Sequence, residues 1–90
     1  MTIWKFPLKI IDEQIIMMPR INKIISVQVQ QKVPCLWAIV NPDDSLKIPV
    51  KIVIIGTGHI HPSFMDMDFI GSIQLHEGNL VLHVFKDKNG

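Results

Sequence analysis

The chain has 90 residues, enough for one small domain over 1–90 and too few for two separate cores. It is 48% hydrophobic and only 19% charged, which excludes an intrinsically disordered chain. Nine Lys/Arg against eight Asp/Glu give a net charge of +1, so composition offers no basic stripe for a nucleic-acid partner, and none is expected.

Sixteen Ile and eight Val give the apolar residues a strand character. Six prolines, spread from Pro7 to Pro62, leave little room for a long helix. The first predicted strand is Ile3 to Leu8, with Trp4, Phe6 and Leu8 on one face. Asp12 to Ile21 reads either as a short helical turn or as an irregular strand. Ile24 to Val40 reads as a hairpin with a tight turn at Gln31-Lys32. A two-residue turn sets Val27 against Leu36, Ile25 against Ala38, Ser26 against Trp37 and Gln28 against Cys35. Asn41-Pro42-Asp43-Asp44 is a turn, and Val50 to Ile55 a central strand covered on both faces.

Gly56-Thr57-Gly58 ends that strand. Pro62 to Asp68 is a loop or one helical turn. Phe69 to Lys86 forms a second hairpin, turning near Glu77-Gly78-Asn79. In that hairpin Gly71, Ile73 and Leu75 pair with Leu80, Leu82 and Val84 on one face, and Ser72, Gln74 and His76 share the other with Val81, His83 and Phe85. The expected fold is therefore all-β: a small antiparallel sandwich or barrel of five to six strands built from hairpins. The second faces carry Trp37, Ile39, Val53, Ile55, Val81 and Phe85, too apolar for open solvent. Either the sheet curls on itself or a partner subunit covers them, and self-association into a homo-oligomer is the leading expectation.

No apolar run approaches the roughly 20 residues of a spanning helix, and Met1 to Phe6 does not open a signal peptide. No membrane partner is expected. A lone cysteine, Cys35, cannot close an internal disulfide and fits a small buried thiol in a cytoplasmic protein.

The most suggestive chemistry lies in Gly56-Thr57-Gly58-His59-Ile60-His61-Pro62. Glycines after a strand can turn backbone N–H groups toward an anion, with Thr57, His59 and His61 as further donors. The simpler reading is a strand-ending turn that needs positive φ at glycine. The segment is neither a P-loop nor a dinucleotide fingerprint. His59 and His61, two apart, share one face of an extended chain, a spacing that can chelate a metal. With Asp66 and Gly71 they are loosely similar to the first cupin motif, but no second motif follows. No metal ligand set and no cofactor are expected. Arg20 and Lys51 are the cations best suited to hold a phosphate beside the loop. Trp37, set among Ser26 and Gln28, either stacks on a planar ligand or belongs to a subunit interface or a second small core; Trp37, Gln28 and Phe85 are the expected interface residues.

Several strings together resemble a known family. They are Ile3-Trp4-Lys5-Phe6-Pro7-Leu8, Gln14 with Met18-Pro19, Ile25-Ser26-Val27-Gln28-Val29-Gln30, Pro34-Cys35-Leu36-Trp37-Ala38, Gly56-Thr57-Gly58-His59, and Phe69-Ile70-Gly71-Ser72-Ile73-Gln74 with Leu80-Val81-Leu82-His83-Val84-Phe85. The chain resembles a family of small proteins found mainly in tailed bacteriophages and prophages. Relatives tend to carry glycine where this chain has Gln31-Lys32. The resemblance implies no catalytic activity. It implies a phage accessory protein in the cytoplasm of an infected bacterium, and such proteins often counter host defence. The leading expectation is a non-enzymatic homo-oligomer that captures a small nucleotide-derived ligand at Gly56, Thr57, Gly58, His59 and His61 with Arg20 and Lys51. The alternatives are a module that inhibits a host defence protein through the Trp37 face, and a cupin-like metal enzyme.

Overall fold

The computed structural model describes residues 1–88. Seven strands form two antiparallel sheets. They are β1 (Thr2–Pro7), β2 (Glu13–Pro19), β3 (Asn22–Gln30), β4 (Val33–Val40), β5 (Lys47–Gly56), β6 (Met67–Leu75) and β7 (Leu80–Asp87). One sheet has the order β1-β4-β3, the other β2-β5-β7-β6. The sheets face each other as a sandwich, and among the described residues no barrel closes. Seven strands stand where five or six were expected, because Glu13–Pro19 is a full strand. Its sequence is apolar on both faces, so alternation does not mark it. Among the described residues no helix is long and apolar enough to cross a membrane.

One core joins the sheets. Leu36 and Val27 from the first meet Met18, Val50, Ile52 and Val84 from the second. The inward side of β2 begins with a polar residue for a local reason. Gln14 accepts from the Lys9 N–H (3.0 Å) and donates to the Lys9 carbonyl (2.7 Å), clamping the loop that enters the strand.

The β3–β4 hairpin turns at Gln31-Lys32, with φ of 49° and 69°. Both signs match the primed two-residue turn whose twist suits a hairpin. Val27 opposes Leu36, Ser26 opposes Trp37 and Gln28 opposes Cys35. A bulge between Ile24 and Ser26 then shifts the register, so Ile24 rather than Ile25 meets Ala38. Ile25 is left exposed. In the β6–β7 hairpin Gly71, Ile73 and Leu75 oppose Val84, Leu82 and Leu80. A second bulge lies between Phe69 and Gly71. There β6 lies close to β3: a Cβ on Gly71 would stand 2.8 Å from Val27 Cγ1.

Sheet two has its own lid. Residues 57–66 leave β5, make one 3₁₀ turn at Phe64–Asp66, and fold back beside the outer face. Val53, Ile55 and Met67 form a second small core there with Phe85. Phe64 and Phe69 both pack on the Phe85 ring, with centroids 5.7 and 5.4 Å away. Part of the apolar second face is thus covered by the chain itself. Cys35 is a buried free thiol on β4.

Candidate functional site

The segment after β5 begins with a tight turn. The His59 N–H donates to the Gly56 carbonyl at 3.1 Å, and Gly58 sits at φ +85°, a conformation that excludes most side chains. The His59 ring lies over Gly56, where an added Cβ would come within 3.2 Å of it. His61 turns elsewhere. Its Nδ1 accepts the Ser63 N–H (3.1 Å) and its ring packs on Phe64 (5.7 Å). The loop is not extended, so the two imidazoles are held by different neighbours.

Beside the loop, where β2 starts and β5 ends, is a cleft of about 440 Å³. Val53, Ile54 and Ile55 contribute its apolar lining; Asp12, Glu13, His59, Ile60 and His61 complete it. An adjoining cleft of about 430 Å³ shares Asp12, Ile54 and His59 and adds Ile10, Thr57 and Leu82 among others. Volumes of this size suit a small ligand. The two carboxylates in the lining accept hydrogen bonds and repel an anion.

The remaining candidate residues are dispersed. Lys51 lies mid-strand on the outer face of β5, 3.4 Å from Glu13 and 3.8 Å from Asp87. Arg20 extends β2 at its far end, opposite Leu46, and its Nε is 3.6 Å from Asp44 Oδ2. Ten residues of β5 separate that level from Gly56, about 30 Å at 3.3 Å per residue. Within one chain Arg20 therefore does not join His59 and His61. Trp37 and Gln28 are on the outer face of the three-stranded sheet, whereas Phe85 is on the outer face of the other. These three lie on opposite sides of the sandwich and do not share a surface.

His83 occupies a constellation that spacing alone does not reveal. Its Nε2 is 2.7 Å from Thr57 Oγ1 and its Nδ1 is 2.7 Å from Ser72 Oγ. Both ring nitrogens are spent on hydroxyls, which fastens the loop to β6 and β7. The hairpin register places Ser72 beside His83, but nothing in the sequence signals the link to Thr57. His76 lies at the tip of the β6–β7 hairpin. Among the described residues no three His, Cys, Asp or Glu side chains are grouped to hold a metal ion.

At the Asn41–Asp44 turn, the Asp44 carboxylate accepts N–H bonds from Leu46 (3.1 Å) and Ile21 (3.2 Å). The Leu46 bond chiefly, with help from Ile21, Arg20 and Lys47, holds its pKa below the ordinary 3.8 against the opposing effect of desolvation. The group's role is to tie the β2–β3 corner to the β4–β5 loop.

A family model described as a domain of unknown function (DUF7352) matches residues 1–90, so the chain belongs to that family. No curated protein and no solved structure matches the chain.

Proposed function

We propose that this chain is a non-enzymatic binding protein whose ligand occupies the cleft beside the 56–61 loop. The observation that carries this reading is the convergence of Asp12, Glu13, His59 and His61 around an apolar lining. That donor set narrows the ligand class. Carboxylates accept from ribose hydroxyls or exocyclic amines, and an imidazole face stacks on a base. The cleft therefore takes the nucleoside end of a nucleotide-like ligand, with any phosphate held outside it and away from the two carboxylates. The motif resemblance supports a phage accessory role in an infected bacterium, where holding such a ligand in a homo-oligomer would blunt a host defence signal.

Calorimetry with adenosine and AMP tests the reading. Binding to the wild-type protein that falls at least about tenfold in His59→Ala and in Glu13→Ala supports it. Absence of heat with either compound, confirmed by an unmoved melting temperature, overturns it.

A second reading rests on Trp37, half-buried on the outer face of the three-stranded sheet near the exposed Ile3. In that reading the face docks on a host protein. Trp37→Ala then abolishes capture of a stoichiometric partner while leaving AMP binding intact.

A further inference from the structure

The sandwich has four sheet edges, and they are not equivalent. β3 and β6 lie side by side at the Gly71–Val27 contact. β1 and β2 each end a sheet, and among the described residues no strand pairs beyond them. Two hydrogen bonds reveal which way their backbones point. The Ile54 N–H donates to the Asp12 carbonyl, and the Arg20 N–H donates to the Leu46 carbonyl, both at 2.9 Å. Both fall on the register that pairs Glu13 with Val53 and Pro19 with Lys47. Opposed residues in an antiparallel ladder alternate between bonded and non-bonded pairs. Residues 12, 14, 16, 18 and 20 therefore bond to β5, while Glu13, Ile15 and Met17 direct N–H and C=O to the open edge. The same parity in β1, fixed by the Leu8 N–H on the Pro34 carbonyl (2.8 Å), turns Ile3, Lys5 and Pro7 outward.

β1 is thus blunted in the usual ways, by a lysine and by a proline that has no N–H. The outward row of β2 has Glu13 at one end and Pro19 at the other, and only Ile15 and Met17 between them carry neither device. Its outward residues Ile15 and Met17 are 55% and 54% exposed, and their backbone groups face solvent. An edge of this kind is a template for another strand.

We infer that the occupant is β2 of a second copy, paired antiparallel about a two-fold axis at Ile16. The strand is complementary to itself in that register. Ile15 opposes Met17 of the partner subunit, and each such pair exchanges both backbone bonds. Ile11 opposes Ile21 of the partner subunit, and Asp12 opposes Arg20 of the partner subunit. A register centred on Ile15 instead sets Asp12 against Met18 of the partner subunit and leaves both charges unmatched. The charges therefore select the Ile16 register. The two four-stranded sheets become one continuous sheet across the axis.

The pairing has a consequence for the cleft. Asp12 and Glu13 line it. The partner subunit's Arg20, anchored through Nε to its own Asp44 and more than half exposed, arrives there. It offsets the carboxylates and offers a guanidinium to a phosphate. This last step rests on the proposed nucleoside site; the interface does not.

Light scattering across a concentration series is the first test. Wild type is expected to be a dimer, the double variant Ile15→Lys/Met17→Lys a monomer with an unchanged circular dichroism spectrum, and Trp37→Lys still a dimer. Arg20→Asp weakens the dimer about tenfold or more, and adding Asp12→Arg restores it. A monomeric wild type at 100 µM overturns the interface, as does a dimer indifferent to both the Lys pair and the charge swap. AMP calorimetry separates the two readings. A dimer that binds no AMP leaves the interface standing and removes the cleft ligand. Full-strength AMP binding by the monomeric variant overturns the role of the partner's Arg20.

Discussion

At Gly71 and Val27 the two sheets approach so closely that one methyl group has no place. A Cβ at 2.8 Å from Val27 Cγ1 must displace the valine or part the strands. Gly71→Ala is therefore expected to cost about 1–3 kcal/mol, as overpacking does. The melting temperature should fall by at least about 4 °C, and Val27→Ala in the same chain should recover part of the loss. Asp44 shows a different dependence. Its folded-state pKa is depressed, so its stabilisation is present above the unfolded value near 3.8 and is lost as pH falls through the lower folded value. Asp44→Asn should melt lower than wild type at pH 7, with the gap closing as the pH drops below 3.8. A gap that stays constant with pH contradicts this. Thr57 is a third case. Removing its hydroxyl in Thr57→Val leaves His83 Nε2 without its partner. A loss of about 1 kcal/mol is expected in thermal denaturation.

Strands were legible where one face was polar and obscure where neither was. In β3 the alternation of Val27 and Val29 with Ser26, Gln28 and Gln30 set both register and turn, and the structure reproduces three of the four expected cross-strand pairs. The fourth fails at the bulge after Ile24, because an inserted residue leaves no mark on a run of two isoleucines. β2 was ambiguous for a related reason. Glu-Gln-Ile-Ile-Met-Met-Pro is apolar at both parities, and its strand conformation depends on the neighbouring β5. The Gln31-Lys32 turn forms despite its residues: both adopt positive φ without being glycine or asparagine. Replacing them with Asn-Gly should stabilise the fold by about 1 kcal/mol, relieving left-handed strain against the extra entropy of glycine. Chemical denaturation reads this as a higher midpoint at unchanged slope.

Across the whole molecule the apolar excess divides into three parts. Most fills the core between the sheets. A second share lies beneath and beside the 57–66 segment around Phe85, covered by a loop of the chain itself and neither by a curled sheet nor by a partner subunit. The rest is exposed, and on outward-facing edge backbone it includes Ile3 on β1, beside Lys5 and Pro7, and the unguarded pair Ile15 and Met17 on β2. The candidate site was legible in part. The Gly-Thr-Gly-His turn and its two histidines do border a cleft. Asp12 and Glu13 were not visible as members, since only the β2–β5 pairing brings them there. Chemistry groups Arg20 with the histidines, yet it sits at the far end of β2 from Asp12 and Glu13. In the proposed dimer the two-fold axis returns it to the cleft of the neighbouring subunit. Amide hydrogen exchange of Ile15 and Met17 tests that arrangement most directly. The account predicts that both amides gain protection as protein concentration rises, joining Gln14, Ile16 and Met18, which are protected at every concentration. Exchange of Ile15 and Met17 that stays fast at high concentration, in protein shown to be dimeric, would contradict it.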